Sequence, residues 1–467
     1  MLAALFWTAA VSFAGSAPRI AQTVPTPITS SPSGDLSFEE AWTRLSLENA
    51  GLESSRQLVE KAKNDRNSAR TLYLPKVDID ASYTRIDEPL IMDLEPIREV
   101  IATLHQIPES MIPPFVDEIE KPEFGRVTVS GTWVLFSGGK RPAANKAASA
   151  RLKDAEAQHA TSLAETRSLL VERYFGLRLA REVLSVRREL QTSMERHAEE
   201  ARKIEKAGLI AKAERLHAEV ALADARMEAQ SSENDVASAQ AGLESVLPQS
   251  RDVLPSTALF MVKLTKDQAD YQAAFLEHQP ILKRLDATVN LAKAGVQAQT
   301  GRFMPDIYAF GKDELYRDDL TILDPKWAVG VGVKLPLFEG GQRVFDSAAA
   351  RHQLKSVEAL QEQSKRDLSA LVDVRFQEMK KAQDRFTALE STVDLARENE
   401  RVRTKAFEAG MSTSLEVTDA QLMLAKARLE RLAAAYEYDL ALARLLEATG
   451  QSEKFEELRK AGTEVRP

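Results

Sequence analysis

The chain has no cysteine among its 467 residues. That absence excludes disulfides, thiolate metal sites, a cysteine nucleophile and lipid attachment to an N-terminal cysteine, and it leaves the redox compartment open. Aromatic residues are scarce at 6%, while 28% of positions are charged, a balance that suits long Ala/Leu/Glu/Lys/Arg helices better than a thick globular core. A basic excess is missing too. The formal charge of -8 argues against a nucleic-acid partner, which would want a basic face. The first 14 residues, MLAALFWTAAVSFA, form an apolar run too short to span a bilayer. With small residues at Ala14-Gly15-Ser16 they have the form of a signal peptide over residues 1–16, although the first basic residue is Arg19 and a frayed apolar terminus is the alternative. No other run approaches the roughly 20 apolar residues of a membrane helix. If the protein enters a membrane, it must do so as strands.

Catalytic chemistry is equally thin. His105, His159, His197, His217, His278 and His352 are scattered, with no HExxH and no i, i+4 pairing to a second ligand. They read as solvated helix-surface residues, because a zinc site needs three or four converging ligands. Ser137-Gly138-Gly139-Lys140 suggests a phosphate loop, but Val134 stands where GxxxxGK needs its first glycine and Arg141 where it needs Ser or Thr. It reads as a turn. No nucleophile and base fall together, so no enzyme, metal or cofactor is expected, and energy for any transport must come from a partner.

What is present is a repeated unit. Trp327, Val329, Val331, Val333 and Leu335 alternate with Ala328, Gly330, Gly332 and Lys334, the period of 2 that separates an apolar face from a small or polar one. Val127, Val129, Gly131, Trp133 and Leu135 do the same against Arg126, Thr128, Ser130 and Thr132, and Leu135-Phe136-Ser137-Gly138-Gly139 answers Leu337-Phe338-Glu339-Gly340-Gly341 at an offset of 202 residues. Each strand stops at a Gly-Gly pair, which permits a sharp change of direction, and each feeds a long helical pattern.

Residues 17–35, rich in Pro, Ser and Thr, read as a flexible linker. Ser37 to Glu40 forms a capping box that opens a helix to about Arg70, and Thr265 to Gln268 opens a second helix to about Gly301. Strands follow Pro75 and Pro305; the second, DIYAFGKDELY, is assigned mainly because its partner is a strand. The first hairpin carries about 28 extra residues, a proline-rich loop at 87–123 with one short helix near Ile97 to His105, since insertions go to surface loops. Leu163, Leu170, Leu177 and Leu184 then recur every seven residues, the spacing of a coiled-coil seam, and Leu415, Leu422, Leu429 and Tyr436 keep the same step in the later half. Breaks at Ala207-Gly208-Leu209 and Ala409-Gly410-Met411 turn each long helix back. At 1.5 Å per residue the long helices reach roughly 100 Å and the shorter ones roughly 50 to 60 Å. Two short helices stacked end to end match one long helix. The expected organisation is a first repeat over 36–263, a second over 264–450 and a tail over 451–467, with residues 248–263 and those after Gly450 where the short helices meet.

One chain offers four strands, and the smallest transmembrane barrels have eight, so closure would take several chains. A soluble sheet packed on a helix is the alternative for such strands. The units LSFEEAW, YLPKVDIDASY, FMPDIYAFG, WAVGVGVKLPLFEGGQR, KAGLIAKAE and EAGMSTSLEVTDAQ resemble the TolC family of outer-membrane efflux proteins, over nearly all of residues 36–450. The resemblance implies a mainly α fold with a small β part: a long coiled-coil α-helical barrel in the periplasm plus a transmembrane β-barrel in the outer membrane, shared by three chains with four strands each. It implies a homotrimer that works with a periplasmic adaptor (membrane fusion) protein and an inner-membrane transporter, as a passive exit duct for efflux or type I secretion. Gly51 stands where the first half of such proteins usually has proline, and Ser412 replaces an arginine that some members carry near the tip. A soluble periplasmic coiled-coil adaptor or scaffold is the competing function, though it leaves the strands unused.

Three sets of residues carry the functional expectations. Trp327 and Phe338, about twelve residues apart, are candidates for two aromatic girdles at the membrane interfaces; simple packing aromatics are the alternative. Gly208, Leu209, Gly410 and Met411 form tips suited to adaptor docking, where a glycine alone would only stop a helix. Glu416 and Asp419 share a helix face, and Glu214 stands six residues past Gly208 as Glu416 does past Gly410. The resemblance puts these three acids at a periplasmic gate; ordinary first-turn acids are the alternative. With Ser412 unable to form the ion pair of an arginine, the closed state is expected to rest on hydrogen bonds and coil packing.

Overall fold

The computed structural model describes residues 34–93, 95–113, 116–247, 253–263, 266–321 and 324–466. The signal-like stretch 1–16 and all but the end of the linker lie outside the described residues. In chain order the elements are β1 (Asp35–Leu36), α1 (Phe38–Glu48), α2 (Ala50–Thr71), β2 (Lys76–Arg85), β3 (Leu90–Asp93), α3 (Glu95–His105), β4 (Val116–Glu120), β5 (Glu123–Ser137), α4 (Lys140–Lys206) and α5 (Lys212–Val246). Then come β6 (Leu254–Pro255), β7 (Phe260–Met261), α6 (Gln268–His278), α7 (Pro280–Gly301), β8 (Asp306–Glu314), β9 (Trp327–Lys334), α8 (Gln342–Glu408), α9 (Ser414–Ala448), α10 (Phe455–Ala461) and β10 (Thr463–Glu464).

Helices come in equal lengths: 67 residues for α4 and α8, 35 for α5 and α9, 22 for α2 and α7, 11 for α1 and α6. The first half of α4 is flanked by α2 and α7, through Asn145 to Ala69 and Asp154 to Arg284. Its second half is flanked by α5 and α9, through Arg188 to Glu233 and Glu189 to Arg428. Two short helices therefore do run along one long one.

Both capped helices break where the sequence suggested continuity. Ser37 and Glu40 cap α1 reciprocally, but α1 ends at Asn49, whose extended backbone (ψ 116°) and side chain, accepting from Leu52 N–H at 2.9 Å, start α2 afresh. In the second half Pro280 imposes the break by denying Gln279 the helical region. The second capping box is built by Asp267 and Asp270; Thr265, the first residue of the expected box, lies outside the described residues.

The chain's waist lies where the short helices meet. There β1 pairs with β6 and β7 with β10, around a cluster of Phe38, Tyr174, Phe175, Phe260, Tyr438 and Phe455. Asp35, assigned to the linker, is thus a strand residue. Asp439 is fully buried here with the Phe260 N–H at 3.4 Å and, among the described residues, no cation paired with it, and burial pushes its carboxyl well above the usual carboxylate range. The seven-residue leucine step holds on α4, where Leu170 and Leu177 are fully buried, but on α9 Leu415 and Leu422 are exposed. The buried side of α9 is made instead by Val417, Ala420, Ala425, Ala427 and Leu432, and the alanines among them let helices approach closely.

At one end stands a four-stranded antiparallel sheet in the order β2-β5-β8-β9, so β2 and β9 are open edges. Its register puts Val77 opposite Gly131, Ile79 opposite Val129, Ile307 opposite Val333 and Ala309 opposite Val331, an apolar face that is largely exposed in a single chain. Lys76, Asp78, Asp80, Ser130, Thr128 and Lys312 occupy the other face. DIYAFGKDE is indeed a strand, irregular in sequence because Tyr308 and Phe310 lie on the polar face. They cover the glycines opposite them: a Cβ on Gly332 would sit 2.4 Å from the Tyr308 ring, and one on Gly330 2.7 Å from Phe310. The insert 87–123 is more than a loop with a helix, since β3 and β4 pair as a hairpin around α3. It is tied to the second hairpin's loop by Lys121 to Asp319 and by Arg126, which holds both Glu120 and Asp324.

The strand β9 ends at Lys334, so Phe338 lies beyond it. Pro336 is the cause, lacking a ladder N–H. The Gly138-Gly139 turn, at φ 59° and 88°, opens α4; Lys140 reaches Asp306 at 2.7 Å, which leaves nothing of a phosphate loop.

Candidate functional site

At the end remote from the sheet, α4 and α8 stop at the same motif. Gly208 has φ 75° and Gly410 φ 70°. The Leu209 N–H donates to Ile204 C=O at 3.1 Å and the Met411 N–H to Ala406 C=O at 2.8 Å, the six-to-one bond that closes a helix on a left-handed residue. A Cβ at either glycine would meet nothing within 4 Å, so the requirement for glycine is one of backbone alone. The apolar residue after such a glycine ordinarily packs back on the helix. Leu209 and Met411 do not: each is 77% exposed. After Gly450, where α9 ends the same way, the corresponding Gln451 is buried.

The acids near the tips have different partners. Thr413 caps α9 and shares a capping box with Glu416. The Ser412 hydroxyl, the Thr413 N–H and Arg403 of α8 at 3.2 Å all face the Glu416 carboxylate and hold it below the usual carboxylate range, with Ser412 contributing most. Arg403 thus gives Glu416 an ion pair within its own chain. At the matching place on α5 the cap is Ala211, which has no hydroxyl. Glu214 is thereby free of a local box and crosses to the other hairpin, where it accepts from Ser414 N–H at 2.8 Å. Asp419 is exposed one turn further along α9.

His197 departs from the expected solvated surface. It is 6% exposed, its Nε2 lies 2.8 Å from Ser414 Oγ, and its ring packs edge-on against Phe407 at 4.8 Å. His217 Nε2 is also buried, and His159 Nδ1 meets Ser55 Oγ at 2.7 Å. His197, Ser414 and Arg403 escape sequence reasoning because each gains its role from another helix; the difference between Ala211 and Thr413 was the one available signal. Trp327 begins β9 opposite Asp313 and is exposed, while Phe338, past the strand, is 86% exposed. Among the described residues no cluster of His, Asp or Glu could hold a metal ion, and no helix is long and apolar enough to cross a membrane.

A family model described as outer membrane efflux protein matches residues 43–248 and 272–451. The chain belongs to the outer membrane efflux protein family. Protein CyaE of Bordetella pertussis is 26% identical over 333 residues, 70% of this chain and 70% of that protein. The crystal structure of the outer membrane protein VceC from Vibrio cholerae matches with a TM-score of 0.70 at 16% identity, covering 88% of this chain and 96% of that one. The open-state MtrE outer membrane channel of Neisseria gonorrhoeae matches with a TM-score of 0.70 at 17% identity, covering 91% and 94%. At such identities the structures establish the fold, mainly helical with a small strand part. Family membership gives the function in outline: an outer-membrane channel for efflux or secretion, with a large periplasmic part, and not an enzyme. It decides against the soluble adaptor.

Proposed function

We propose that the protein is the passive exit duct of a tripartite efflux or type I secretion system. Three copies close a transmembrane barrel and a periplasmic helical tunnel, and a periplasmic adaptor and an inner-membrane transporter deliver the substrate. The observation that carries this reading is the sheet: four strands with two open edges and an exposed apolar face. In lipid an open edge leaves backbone groups unsatisfied, so the edges β2 and β9 must meet across chains. The helical part supports the same closure. Gly138 packs against Gly301 at the end of α7, so closely that a Cβ would sit 2.4 Å from Gly301 O. For Gly340, at the same φ of 59°, a Cβ would meet nothing within 4 Å among the described residues. The matching end of α2 in a neighbouring copy would fill that place. Exposed apolar residues on the outer helices, Leu216, Val220 and Met227 on α5 with Leu395 and Val402 on α8, would be covered by the same closure. In mild detergent the mature chain is expected at about three times its own mass; a stable monomer would remove the barrel.

Glu416, Asp419 and Glu214 then stand at the periplasmic mouth as its gate. Three copies of Glu416 and Asp419 make a ring that attracts cations and, through mutual repulsion, makes the closed state sensitive to salt. Glu416→Ala with Asp419→Ala should lower cation selectivity in planar bilayers and weaken block by multivalent cations. Wild-type selectivity and block in that variant would show that these carboxylates do not line the pore. Trp327 serves as an interfacial aromatic on the last strand. Phe338, which lies past the end of β9, would meet the membrane interface from the strand-to-helix turn.

A further inference from the structure

His197 sits about eleven residues before the tip glycine Gly208 on α4, and it is the point where all four helices of the two hairpins converge. From α9 the Ser414 hydroxyl meets its Nε2; from α8 the Phe407 ring meets it in a T-shaped contact; from α5 come Glu214 and His217. Glu214 closes the circuit, because it accepts from the backbone N–H of the same Ser414 whose hydroxyl meets His197. Ser414 is completely buried. One residue of the second hairpin is thus gripped from two sides by the first, just above the tips.

We propose that His197, Ser414 and Glu214 form a latch that holds the two hairpins of a chain together near the periplasmic mouth, and that protonation of His197 releases it. This rests on reading the tips as the inner mouth of the pore. The reason for release is electrostatic. The neutral imidazole meets Ser414 and packs edge-on with Phe407 at little cost, whereas the imidazolium would be a buried cation beside His217. The hydrogen bond with Ser414 and, more weakly, the Glu214 carboxylate favour the charged ring, although that carboxylate is already committed to Ser414 N–H. Burial outweighs these contributions and holds His197 below the ordinary histidine value. The latch is therefore at full strength above about pH 6.5, and it is lost as pH falls from there through the lowered folded value. The Glu416 carboxylate is itself held below its ordinary range, chiefly by the Ser412 hydroxyl. Lowering the pH would moreover reduce repulsion in an acidic ring, the opposite sign to opening.

The absence of native cysteine makes the test direct. Spin labels on Leu209→Cys and Met411→Cys in the full chain report the separation of the two tips between pH 7.5 and 5. The parent should show a reversible shift to longer separations, its open-to-closed ratio rising by up to about tenfold per pH unit for one proton. His197→Gln keeps a nitrogen for Ser414 without titrating in this range, and its separation should stay constant. Ser414→Ala, which keeps the histidine but removes its hydroxyl partner, should resemble the acid form already at pH 7.5. A parent with one separation at both pH values, a His197→Gln protein that shifts like the parent, or a Ser414→Ala protein like the parent at pH 7.5 would each overturn the latch. Label separations do not depend on conduction, so failure of the duct itself would appear separately, as a missing trimer or missing conductance.

Discussion

Val331→Lys will abolish the assembled barrel, while Ser130→Lys on the opposite face of the same sheet will leave it intact. Val331 lies in the middle of β9, opposite Ala309, on the apolar face that a single chain leaves uncovered. A lysine near the bilayer midplane costs about 2–4 kcal/mol on the lipid face of such barrels. Three copies bring that to about 6–12 kcal/mol, the size of a whole domain's stability. Ser130 lies opposite Asp78 and Lys312 on the polar face, where an added cation stays hydrated and has a carboxylate beside it. Trimer content of outer-membrane fractions, read on gels without boiling, distinguishes the two variants. Equal trimer from both would mean that the apolar face does not meet lipid.

How far the sequence carries this fold is clearest at its punctuation. Gly138-Gly139 and Gly340-Gly341 announce strand ends and helix starts because glycine adopts their positive φ without the strain other residues would carry, and Gly208 and Gly410 announce the turns for the same reason. These are local requirements, and they survive as residue identities. What stayed hidden depends on partners distant in sequence. The break at Asn49 has no proline to mark it, and an asparagine caps only if the chain leaves the helix there. The irregular pattern of β8 makes sense once Tyr308 and Phe310 lie over Gly332 and Gly330 of the next strand. Leu415 and Leu422 keep the heptad step yet face outward, since periodicity defines a stripe without saying what covers it. The acids were legible as acids. Their different partners were not, because Glu214 crosses between hairpins for want of a hydroxyl at Ala211, whereas Glu416 stays in its own box with Thr413.

The largest effect on transport is expected at the tips. Leu209→Asp with Met411→Asp should reduce efflux to the level of a strain without the protein while leaving the trimer unchanged. Both residues are 77% exposed, so their replacement should alter folding stability by less than about 0.5 kcal/mol. Their value lies in what they offer a partner. Fully covering a leucine or methionine side chain is worth about 1.5–3 kcal/mol, and a trimer would present both residues three times to an adaptor that meets them together. Losing a fraction of such linked contacts multiplies through the whole assembly, and the introduced carboxylates would also have to be desolvated on docking. Bulky replacements of Gly208 and Gly410 should act in the same direction by a different route. Space around both glycines is open, but the left-handed backbone costs other residues roughly 1–2 kcal/mol each, so the tips would re-form with Leu209 and Met411 misdirected. Accumulation of a transported dye in cells, measured beside trimer content in their outer membranes, reads both quantities at once. Normal efflux from the double aspartate variant would mean that the adaptor engages some other part of the helical tunnel.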